Sequence, residues 1–136
     1  MTKAGRCFLL LGCAQALHSC EEIYFHLNDF AARAALAAPA MPAFFLQVRM
    51  KPEIFAVLNI IVIVMILVSV LLYALDRPWA YSLAWIWGAA EIVNGLAHLT
   101  VALILSRYAP GSFSAPLLVL TGAGLLYQLG TSRQSG

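Results

Sequence analysis

The sequence predicts an all-α integral membrane protein, a four-helix bundle with a short interfacial helix after the first span. Three observations predict it. Of 136 residues, 62% are hydrophobic and 10% charged, against about 45–50% and 25% in soluble domains, so too little polar surface remains to coat a water-soluble globule. Several stretches approach the ~20 apolar residues that cross a bilayer. Inside those stretches, ionisable side chains recur at helical spacing, where each carboxylate costs about 2.5–3.5 kcal/mol at bilayer depth unless it is used or neutralised.

Four spans follow in order. The first is predicted over 7–27. It opens with a clean apolar run and then meets His18, Glu21 and Glu22. Lys3 and Arg6 precede it, but the apolar run before Cys13 is shorter than the ~7–15 residues of a signal core, so an uncleaved first helix is expected. The second span, 54–75, carries no charge and reads as scaffold, stopped by Asp76-Arg77-Pro78. The third, 79–105, begins with an aromatic belt of Trp79, Tyr81, Trp85 and Trp87. The fourth, 113–129, is short and contains Gly122 and Gly124. Between the first two spans, the alanine-rich segment 31–38 has strong helix propensity. Pro39 and Pro42 interrupt it, so a short interfacial helix is expected there.

Charge excludes some functions. The net charge of +2 comes from scattered Lys and Arg, with no basic run for nucleic acid. With four spans, Lys3, Arg6, Arg77 and Arg133 share one side and Arg33, Arg49, Lys51 and Arg107 the other, so the positive-inside rule sets no orientation. Cys7, Cys13 and Cys20 form no C-x-x-C pair and read as packing residues. Asn59 and Thr121 read as simple helix–helix contacts.

The polar residues fall on faces. At 3.6 residues per turn, His18, Glu22 and His26 follow at i, i+4, i+8, with Glu21 beside His18 and Asp29 extending the face. On the third span, Glu91, Asn94 and His98 lie within an arc of about 60°, bordered by Ala84, Gly88, Gly95 and Ala102. Small residues admit a neighbouring backbone. His18 lies twelve residues after Arg6 and Glu91 twelve after Trp79, so both sit ~18 Å into parallel helices. The two stripes are therefore expected to converge, with helices one and three pressed together.

Histidine nitrogen and carboxylate oxygen are ligands for zinc, iron and manganese. His18, Glu22, Glu91 and His98 are the expected ligands of one or two divalent ions, with Glu21 and His26 as further candidates. Glu21, Glu22 and Glu91 are the candidate catalytic acids and bases, Glu21 or Glu22 foremost. Asn94 and Tyr108 are placed to orient a ligand or substrate.

Three motifs stand in order: His18-Ser-Cys-Glu21-Glu22, Asn94-Gly-Leu-Ala-His98 and Tyr108-Ala-Pro110-Gly111. Together they resemble the HXXEE domain family, over about 7–129. The resemblance implies a small, mostly prokaryotic membrane protein of three to four spans and marks the site residues, but it imports no reaction. A multi-pass protein of a prokaryotic cytoplasmic membrane is expected, in contact with lipid and open to homo-oligomerisation. The leading functional reading is a membrane-embedded enzyme acting on a lipidic or apolar small molecule, metal-dependent or working as a metal-free isomerase or cyclase. The competing readings are a carrier for protons, metal ions or small solutes, and an assembly or regulatory subunit.

Overall fold

The computed structural model describes residues 1–30 and 51–132, and the described residues are all-α, without strands. Four long helices result: α1 (Lys3–Tyr24), α2 (Pro52–Ala74), α3 (Pro78–Leu105) and α4 (Ala115–Ser132). The expected interfacial helix lies outside the described residues. α2 and α3 are long and apolar enough to cross a membrane, and the apolar helix Ala115–Thr131 is shorter.

Local chemistry sets the boundaries. Thr2 caps α1 by accepting from the Gly5 N–H at 3.0 Å. Both α2 and α3 open with proline in the first turn, where its missing N–H costs nothing. α1 ends three residues earlier than the sequence predicts. The Phe25 N–H closes on the Glu21 carbonyl, and His26 turns out at φ 52°. Those three residues decide two positions: the chain leaves the helical path before His26 and Asp29 can continue the Glu22 face, and both are exposed.

The helices close a ring in which α1 packs on α2 and α4, and α3 packs on the same two. α1 and α3 are diagonal and barely touch. This corrects the expectation that they press together. Their polar stripes meet across the bundle interior, over the start of α4. The small residues of α3 do admit a neighbour, but it is α4. A Cβ on Gly95 would lie 2.8 Å from the Ala115 carbonyl oxygen, and one on Gly122 2.8 Å from the Gly88 carbonyl oxygen. Gly88 and Gly122 thus cross backbone to backbone.

The buried stripe of α1 recurs every three to four residues. Its first half, with Ala4, Phe8 and Leu11, joins Ile66, Leu125 and Leu129 in an apolar core. Its second half is polar: Gln15, His18, Ser19 and Glu22 are all buried. Polar ties fasten the ring. Trp87 donates its indole N–H to Ser69 Oγ at 3.1 Å, and the Tyr81 hydroxyl donates to the Leu129 carbonyl at 3.0 Å. Asn59 and Thr121 each donate to their own helix, to the Phe55 and Leu117 carbonyls.

The α3–α4 crossing yields a test. Gly95→Ala sets a methyl against backbone and is expected to destabilise by about 1–3 kcal/mol, the usual cost of overpacking. Gly124, with nothing within 4 Å of an added Cβ, is expected to accept alanine without loss. Thermal unfolding of the two variants in detergent checks the pair.

Candidate functional site

The site forms where the polar half of α1, the end of α3 and the loop before α4 meet. His18 and Glu22 stand one turn apart on α1, and His98 comes from α3. His98 Nε2 lies 3.0 Å and His18 Nε2 3.3 Å from the same oxygen, Glu22 Oε1. The two rings meet edge to face with centroids 4.6 Å apart. The His18 side chain is fully buried, and those of Glu22 and His98 are 9% and 13% exposed.

Hydrogen bonds on the far sides of both rings fix where the protons are. His98 Nδ1 lies 2.8 Å from the Pro110 carbonyl oxygen. A carbonyl only accepts, so His98 Nδ1 carries the hydrogen. Ser114 Oγ donates its only hydrogen to Glu21 Oε2, so at 2.8 Å it accepts from His18 Nδ1. In the neutral rings both Nε2 atoms are therefore bare lone pairs, and both face Glu22 Oε1. His18 Nε2 is one of two buried side-chain polar atoms without a hydrogen-bond partner among the described residues.

One ligand atom from each of His18, Glu22 and His98 lies within 4.8 Å of the others, so the group can hold a metal ion. The separations suit that use. Ligand bonds of about 2.0–2.1 Å in tetrahedral geometry place neighbouring donor atoms about 3.3 Å apart. The far-side hydrogen bonds are the outer contacts that orient imidazole ligands.

Glu21 does something else. Its Oε1 accepts from the Tyr108 hydroxyl at 2.7 Å and from the N–H groups of Gly111 and Phe113 at 3.0 and 3.1 Å. Its Oε2 accepts from the Ser114 N–H at 2.8 Å and from Ser114 Oγ. Five donors occupy the roughly four lone-pair sites of a carboxylate. Glu21 therefore clamps the loop and supplies negative charge to the start of α4, where a helix favours it. It faces that loop and lies outside the His18–Glu22–His98 group. Tyr108 is a donor in this clamp and does not line the imidazole site. Partial desolvation and the Glu21 carboxylate push its phenol well above the ordinary range, so it stays protonated.

The Pro110-Gly111 turn has a steric reason. Gly111 sits at φ 88°, and an added Cβ would fall 2.5 Å from His98 Nδ1 and 2.9 Å from His18 Cε1. Only glycine lets the backbone lie against both rings.

The remaining candidates divide. Glu91 is buried, takes the Asn94 amide on Oε2 at 3.3 Å, and is close enough to His18 and Glu22 to share their electrostatic field. Its carboxylate lies outside the three-residue group. His26 is exposed past the end of α1. The described residues thus bring together one group for one ion rather than two. Sequence reasoning missed Ser114, Gln15 and Ser19. The last two are legible as an i, i+4 pair lying three residues before His18 and Glu22 on the same stripe. Ser114, just before Ala-Pro, carries the pattern of a helix cap.

Glu21→Ala leaves the Gly111, Phe113 and Ser114 N–H groups without their acceptor and is expected to destabilise by about 2 kcal/mol. Cys20→Ala, on the exposed side of the same turn, is expected to be neutral. Comparative unfolding in one detergent measures both.

No curated protein and no solved structure matches the chain significantly. A family's sequence profile does match, over residues 9–125, which spans both imidazoles, the clamp and the glycine turn. The chain belongs to the HXXEE family, described as proteins of unknown function with an HXXEE motif.

Proposed function

We propose that this chain is a multi-pass membrane enzyme whose His18–Glu22–His98 centre holds one divalent metal ion and acts on a lipidic or other apolar small molecule. One observation carries the reading: two imidazole lone pairs, each fixed by an acceptor behind its ring, converge on one carboxylate oxygen in a buried site. With both rings neutral the three acceptor atoms repel one another, and a cation between them reverses the sign.

The membrane setting has its own support. α2 and α3 have the length and apolarity to cross, and they expose large apolar side chains such as Ile60, Leu71, Val93 and Ile104. Water penalises such surface, and lipid does not. All four helices then span, in a prokaryotic cytoplasmic membrane as the HXXEE resemblance implies.

Two histidines and one glutamate leave a further coordination position, as catalytic zinc sites do. A divalent ion there supplies a Lewis acid and an acidified water. His18, His98 and Glu22 bind. Glu91, held through one oxygen by Asn94, keeps the other to take or give a proton and replaces Glu21 as the candidate base. Transport is the weaker reading. Below the polar half of α1 the interior is closed by Phe8, Leu11, Ile66 and Leu125, with no polar path to the other end among the described residues.

Metal analysis of the detergent-purified chain tests this. Near-stoichiometric metal in the wild type, lost in Glu22→Gln and His98→Ala, is expected. Ser114→Ala, which frees the His18 ring, is expected to weaken affinity by about 10–100-fold without abolishing it. A wild type that stays metal-free after equilibration with zinc, iron or manganese overturns the metal reading.

A further inference from the structure

A second groove lies outside the histidine site, on the outer face of the last turn of α3 and the loop that follows, with a volume of about 560 Å³. Its lining is segregated. Leu99, Ala102 and Leu103 form an apolar wall at i, i+3, i+4, and Arg107, Tyr108 and Ser112 form a polar end. We propose that this groove binds the phosphodiester head of an anionic lipid, with Arg107 pairing the phosphate and the apolar wall taking an acyl chain.

No carboxylate lies within ion-pair distance of Arg107 among the described residues. Its guanidinium stacks 5.8 Å above the Phe30 ring, a contact that holds the side chain and leaves its charge in place. The carbonyls at the end of α3 offer about half an opposing charge. The nearby Glu21 carboxylate is already filled by its five donors. A guanidinium fork is matched by two phosphate oxygens, and the Ser112 hydroxyl adds a donor at the same end.

The apolar wall selects a lipid over a free anion. Leu103 is 78% exposed directly beside Arg107, so a ligand that covers only the cation leaves it bare. A phosphate carrying an acyl chain satisfies both ends. This inference rests on the chain lying in a membrane and is independent of any metal at His18, Glu22 and His98.

Native mass spectrometry of the full chain in detergent tests it, using phosphatidylglycerol and phosphatidylcholine of the same acyl composition. The wild type is expected to retain phosphatidylglycerol at least about tenfold over phosphatidylcholine, about 1.4 kcal/mol. Arg107→Gln is expected to bring the ratio near unity, whereas Lys51→Gln, a cation at the same end of the bundle, preserves it. Equal retention of the two lipids by the wild type overturns the proposal without needing any variant. A preference that survives Arg107→Gln also overturns it. So does displacement by glycerol phosphate at the lipid's own concentration, which makes the groove a site for a free anion. Metal content unchanged in Arg107→Gln separates the outcome from that of the histidine centre.

Discussion

Bare imidazole nitrogens and a carboxylate oxygen do not settle at about 3 Å from one another in a low-dielectric interior unless positive charge lies among them. That constraint governs this molecule. His18, Glu22 and His98 pose it jointly, and the residues around them bring their lone pairs to one point. A proton shared along the Glu22–His98 pair answers the constraint in part. A divalent cation answers it for all three atoms at once, and it also gives buried His18 Nε2 the partner it otherwise lacks.

The segment 108–114 enforces the geometry. Pro110 supplies the acceptor behind His98, Ser114 the acceptor behind His18, and Gly111 the close approach that seats the turn on both rings. Glu21 holds this segment by its hydroxyl and amide donors. Two adjacent glutamates thus have opposite tasks. Glu21 collects donors from a loop and organises the outer layer, while Glu22 faces acceptors and has room for a cation. In this chain the paired glutamates are a clamp beside a member of the candidate metal group.

Much of this was legible in the residues. The i, i+4 spacing of His18 and Glu22 placed them on one face, and the equal depth of the polar stripes on spans one and three brought Glu22 level with His98. Three features were not legible. The diagonal placement of α1 and α3 depends on where Gly88, Gly95 and Gly122 pack, and small residues announce a close neighbour without saying which helix it is. The separation of Glu21 from Glu22 depends on a loop 87 or more residues away in sequence, whose donors carry no periodic signal. The exit of His26 from the stripe turned on its own positive φ at the end of α1, a choice between continuing and stopping that the exposed Tyr24-Phe25-His26 segment leaves nearly balanced.

A cation shared by these three side chains has a direct spectroscopic signature. X-ray absorption fine structure at the zinc edge of the zinc-loaded, detergent-purified chain tests it most directly. The expected shell is two imidazole nitrogens and a carboxylate oxygen at about 2.0–2.2 Å, with the imidazole scattering reduced by half in His98→Ala. A shell of oxygen or sulfur alone, or one unchanged in that variant, would contradict it.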